Sequence, residues 1–82
     1  MDDFQRRLAG CFQTVFPSLN DTSVLTASQE NTATWDSIAT VTLLNLIEEE
    51  FHIEADLDRL TELNSFPILL GYVRHEARAQ SS

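Results

Sequence analysis

Asp36 and Ser37 stand where a long polar stretch gives way to the apolar run Ile38, Val41, Leu43, Leu44, Leu46, Ile47 and Phe51. An aspartate in that place can accept the free amides of a first helical turn, so Asp36 reads as an N-cap and Ser37 as the first helical residue. A hydroxyl then sits at the positive end of a helix, where unpartnered amides and the helix dipole favour a phosphodiester. Ser37 is therefore suited to carry a phosphate-linked group; the competing reading is a plain capped helix start. Other chemistries lack their parts. A triad base is missing, because His52 lies fifteen residues further along the same helix, about 22 Å away at 1.5 Å per residue. The run Asp56-Leu57-Asp58-Arg59 does not continue with the glycine and closing glutamate of a calcium loop. One cysteine and two distant histidines, His52 and His75, make no zinc site. Neither a catalytic residue nor a metal site is expected.

The elements that must hold Ser37 are helical. Phe4, Leu8, Phe12, Val15 and Phe16 recur at steps of three and four, which predicts an amphipathic helix from about residue 2 to residue 16, stopped by Pro17. Cys11 falls on the edge of that stripe and reads as a packing residue. Residues 18–34 are rich in Ser, Thr, Asn and Gln; they predict a long loop pinned by Val24, Leu25 and Ala27 and hiding a functional role or a helical turn. Trp35 reads as the loop's anchor, the other reading being contact with a partner or a bound group. The second helix runs from Ser37 to residue 50 or 51, and so broad an apolar face predicts burial on more than one side. Leu57, Leu60 and Leu63 predict a short helix near residues 57–62. Ser65 can cap a last helix with Pro67 in its first turn and Ile68, Leu69, Tyr72 and Val73 as its buried stripe. The expected fold is all-α: one domain over residues 1–76, a small bundle of three main helices and one short one with a long loop between the first two, and a frayed tail over residues 77–82.

Charge carries the second signal. The stretch from Leu8 to Asp58 holds nine acids and no Lys or Arg, and the five bases, all arginine, lie outside it. Glu48, Glu49 and Glu50 close the second helix at its negative end. Three like charges there cost a few tenths to about 1 kcal/mol each. Such a cost fits a surface that docks basic partners, or a solvated helix end relieved in part by His52.

Trp35-Asp36-Ser37-Ile38, followed by Glu48-Glu49-Glu50-Phe51, resembles the acyl carrier protein family, in which an Asp-Ser-Leu motif opens the second helix and the same helix often ends in an acidic run before Phe. The likeness in motif, acidic run, length and helix layout covers essentially residues 3–76. It implies an acyl-carrier-like bundle that is not itself an enzyme. Ser37 would receive covalent 4′-phosphopantetheine from a phosphopantetheinyl transferase using coenzyme A and Mg²⁺, with Asp36 assisting metal and recognition. Acyl groups would ride on the arm as thioesters. Ile38 and Val41 would offer an apolar contact, and Glu48 and Glu49 a charged one, to an acyl ligase, acyltransferase or ketosynthase with basic docking patches. Ala39 and Thr42 are uncharged and Asn45 is polar where the family commonly has acids and an apolar residue, which favours a specialised stand-alone carrier over general fatty-acid synthesis. Two alternatives stay open: an acidic helical interaction module without a prosthetic group, and an aminoacyl or peptidyl carrier, although Asp36 is not the residue usual before the serine there.

The remaining bounds come from composition. A chain of 82 residues with net charge −8 and a pI near 4.3 fits one small core. It repels nucleic acid and anionic membranes and attracts basic proteins. The opening Met-Asp-Asp-Phe has no signal-peptide character, and no apolar run approaches a membrane span. A monomer in a reducing cytoplasm is the expectation. If self-repulsion limits stability, raising salt from near zero to ~0.5 M should raise Tm by about 2–5 °C. A thermal melt that is flat or falls with salt contradicts this.

Overall fold

In the computed structural model, which describes residues 3–59 and 62–81, the chain folds as α1 (Asp3–Val15), a 3₁₀ turn (Ser23–Thr26), α2 (Ser37–Phe51), a second 3₁₀ turn (Leu57–Arg59) and α3 (Phe66–Ser81). The fold is all-α; among the described residues the β-pairing is a single isolated bridge, Ser28 to Ser65. Leu60 and Thr61 lie outside the described residues, so the extent of the short helix expected at 57–62 is settled only as far as Arg59.

The step-three-and-four stripe of α1 buries Leu8, Cys11 and Phe12 against α2 and α3. Asp3 pairs with Arg6 at 2.8 Å and Arg7 at 3.5 Å across the first turns, exposed pairs worth a few tenths of a kcal/mol. Pro17 disfavours helical geometry at Phe16, and the amide of Phe16 makes the last backbone bond of the turn, to the Phe12 carbonyl at 2.7 Å.

The polar loop is ordered by its own side chains. Asn20 Oδ1 accepts the amides of Thr22 and Ser23 at 2.9 and 2.8 Å, which opens the first 3₁₀ turn. Asn31 Oδ1 accepts the Ser28 amide at 2.9 Å while its Nδ2 donates to the Thr26 carbonyl at 2.9 Å. These amides satisfy backbone groups that a helix or sheet would otherwise satisfy. The loop then docks on the start of α3: Phe66 N donates to Ala27 O at 2.8 Å and Gln29 N to Asn64 O at 3.0 Å. Val24 and Ala27 are buried and Leu25 half-buried, so the expected pins hold.

Helix α2 differs from expectation in one respect. Its buried residues, Thr40, Leu43, Leu44, Ile47 and Phe51, form one stripe rather than two faces. The described core has only α1, the loop and α3 to set against it, so Ile38 and Val41 stay outside at 78% and 41% exposure. Helix α3 corrects two further expectations. Phe66, Leu69, Tyr72 and Val73 are buried, but Ile68 falls off that stripe and is 48% exposed. The helix also continues past residue 76 to Ser81, with Ala77 packed on the core, where a frayed tail was expected. Ser65 caps it as expected, its Oγ accepting the Ile68 amide at 3.3 Å.

His52 ends α2 in the left-handed region, φ 56°, ψ 46°, with its amide donating to Glu48 O. A Cβ in that conformation is strained, and glycine is not. His52→Gly should therefore stabilise the fold by about 0.5–1 kcal/mol and His52→Val should destabilise it. Urea denaturation measures both; a less stable glycine variant contradicts this reading.

Candidate functional site

The opening of α2 has the form expected from the sequence. Asp36 is extended, at φ −108° and ψ −172°, and its side chain accepts the Ala39 amide at 2.8 Å. Ser37 follows as the first helical residue, is exposed, and its hydroxyl makes no hydrogen bond among the described residues. The amides of Ser37 and Ile38 belong to the first turn and have no acceptor within the helix. Ile38 and Val41 present apolar surface beside it, one turn apart. Ser37, Asp36, Ile38 and Val41 thus form one exposed patch at one end of α2.

Behind that patch lies a buried hydroxyl that the sequence did not reveal. Thr40 is 1% exposed. Its Oγ1 accepts from Trp35 Nε1 at 2.8 Å and donates to the Asp36 carbonyl at 2.9 Å. Gln29 Nε2 adds a longer contact at 3.4 Å. Trp35 is buried, its ring edge-on to Phe12 at 5.3 Å and 5.5 Å from Phe16. The anchor reading of Trp35 holds.

The acidic run divides at the far end of α2, about 18 Å from Ser37 at 1.5 Å per residue. Glu48 is half-buried, and its Oε2 accepts the Ala55 amide at 2.9 Å, which fastens the turn after the helix. Glu50 pairs with Arg7 Nε at 2.8 Å, and the same guanidinium donates to the Glu50 carbonyl at the helix end. Arg7 lies 4.7 Å over the Phe51 ring, and Phe4 stacks on that ring at 5.6 Å. The cation that relieves the run is therefore Arg7, from α1, and not His52, whose ring makes no ion pair or hydrogen bond among the described residues. Glu49 alone of the three is exposed with its carboxylate meeting no cation among the described residues. A position one turn from Phe4 and next to Leu8 was the available signal for Arg7; its partner, 43 residues away, was not readable.

Open grooves lie elsewhere among the described residues. One, of about 630 Å³, runs between α1 and the end of α2 beside Arg7, Cys11, Thr14, Leu46 and Glu49. Another, of about 310 Å³, lies along α3 beside Arg59, Ile68, Tyr72 and His75. No group of three or more metal-ligating side chains and no helix long and apolar enough to cross a membrane occurs among the described residues. Family models, characterised proteins and solved structures all return no match to the chain, so the reading of the site rests on its own residues.

Burial, assisted by the charge of Glu50 and opposed by that of Arg7, pushes the Cys11 thiol up to about 11. The neutral thiol is thus favoured in the folded state. What it contributes to stability is complete below the ordinary thiol range and is lost as pH rises through about 11. At pH 8 a thiolate-specific reagent should react with native Cys11 about 100-fold more slowly than with the urea-unfolded chain. Equal rates in the two states contradict the buried assignment.

Proposed function

We propose that the chain is an acyl carrier whose attachment point is Ser37. The observation that carries this reading is an exposed serine hydroxyl, free of hydrogen bonds among the described residues, at the capped start of α2. The residues fit a phosphopantetheine group: the nucleophile is open to an enzyme, and the first-turn amides can face a phosphodiester. The bound group would supply a thiol on a flexible arm, able to hold an acyl chain as a thioester.

In loading, Ser37 Oγ attacks the phosphorus next to pantetheine in coenzyme A. Its proton passes to a base of the transferase, and adenosine 3′,5′-bisphosphate leaves, so a phosphodiester replaces a phosphoanhydride bond. Asp36 holds the helix start through the Ala39 amide, and its remaining lone pairs would be open to the transferase's Mg²⁺. Ile38 and Val41 supply an apolar contact for partners, and Glu49 supplies the unpaired charge for their basic patches. Glu48 and Glu50 serve docking less, because each already holds a partner within the chain. That internal engagement also weighs against an acidic interaction module without a prosthetic group. The low charge beside Ser37 supports a specialised stand-alone carrier, a monomer served by its own ligase or transferase in the cytoplasm.

The test is incubation with coenzyme A, Mg²⁺ and a broad-specificity phosphopantetheinyl transferase, followed by intact mass. The wild type should gain one phosphopantetheine and Ser37→Ala none. The gained thiol should react fast at pH 8 while Cys11 stays slow. No gain, or a gain that survives Ser37→Ala, contradicts the carrier reading.

A further inference from the structure

We propose that Thr40 is a positioning residue for Ser37, and that the Thr40–Trp35 hydrogen bond is a lock that keeps the start of α2 in the shape a transferase engages. The inference rests on the carrier reading and adds residues that lie behind the attachment point.

Thr40 and Thr32 are the buried polar residues among those described, and Thr40 is the more deeply buried. A hydroxyl can donate once and accept twice. Thr40 Oγ1 has all three places filled: it donates to the Asp36 carbonyl and accepts from the Trp35 indole and, at longer range, the Gln29 amide. One side chain thus ties together the loop, the residue before the cap and the cap itself. Trp35 is held on its other side by Phe12 and Phe16, so the lock is braced against α1. Asp36 and Ser37 lie between Trp35, which immediately precedes the cap, and Thr40, one helical turn further on.

Packing alone does not ask for this arrangement. A valine in place of Thr40 and a purely apolar ring in place of the indole would leave no buried donor that needs a partner. Threonine is also a poor helix-interior residue. What the polar pair adds is direction, because a hydrogen bond fixes the rotation of the indole and the path of the Asp36 backbone where apolar contact would let both slide. Loosening the lock lowers the fraction of molecules whose helix start is ready, and the apparent affinity for the transferase falls by that fraction. Bound molecules still react at the same rate. The signature is a raised KM with an unchanged kcat.

The experiment compares loading kinetics of the wild type, Thr40→Val, Trp35→Phe, the double variant and Thr40→Ser, with helix content checked by circular dichroism. Hydrogen exchange at the Ala39 amide, the bond that Asp36 holds, is followed in each. Thr40→Val and Trp35→Phe should each raise KM for the carrier about tenfold with kcat within about twofold. The double variant should be no worse than Thr40→Val alone, since the bond that Trp35→Phe removes is already gone there, and Thr40→Ser should restore wild-type values. Ala39 exchange should quicken about tenfold in the first three variants and not in Thr40→Ser. Trp35→Phe leaves no unpaired buried donor and keeps the comparison sound if Thr40→Val does not fold. Unchanged KM in Trp35→Phe, or a loss confined to kcat, overturns the lock while leaving Ser37 as the attachment point. If the wild type takes up no mass, the carrier reading falls instead. The lock is then judged on exchange: faster Ala39 exchange in Trp35→Phe, restored in Thr40→Ser, upholds it, and unchanged exchange overturns it.

Discussion

The ring of Phe12 is the contact on which the rest of the molecule depends. It meets Trp35 edge-on at 5.3 Å, Phe66 edge-on at 5.1 Å and Phe16 at 6.2 Å. Those partners come from the loop before α2, the start of α3 and the end of α1. Each aromatic contact is worth about 0.5–1.5 kcal/mol beyond the area it buries. The cluster therefore joins the loop before α2 to α1 and α3. Because Trp35 immediately precedes Asp36, a buried ring packed on Phe12 sits one residue from the exposed cap.

Electrostatics act at the other end of α2, and they are more local than net charge implies. A total of −8 suggests a broad acidic face. Yet Glu50 is paired with Arg7 and Glu48 with the Ala55 amide. Arg7 also covers Phe51 and reaches the Glu50 carbonyl at the helix end, where a cation opposes the macrodipole. The acidic run is thus partly a structural clasp between α1 and α2, and its outward charge is concentrated at Glu49. A partner reading this helix would meet apolar Ile38 and Val41 near Ser37 and a single free carboxylate some 18 Å beyond at 1.5 Å per residue.

Most of this was legible where a local rule decided the outcome. The cap at Asp36, the start at Ser37 and the buried Leu8, Phe12, Leu43 and Ile47 follow from short-range capping and periodicity. The exposure of Ile68 and the single buried stripe of α2 were not legible, because they depend on which elements pack on which face. Nor was the role of Thr40, a residue that looks ordinary inside a helix until an indole five positions away turns toward it. Pairing across the chain, as between Arg7 and Glu50 or Ala27 and Phe66, is tertiary information that no spacing encodes. The run Trp35-Asp36-Ser37-Ile38, on which the carrier proposal rests, needs only four adjacent residues, and so it was visible from the start.

Isolation of the protein from its native cell, with intact mass and fragmentation to locate any adduct, tests the proposed carrier function most directly. A phosphopantetheine on Ser37, bare or bearing an acyl thioester released by hydroxylamine, is the predicted result, and the acyl mass would name the cargo. A chain recovered with Ser37 unmodified, or with the adduct on another residue, contradicts it.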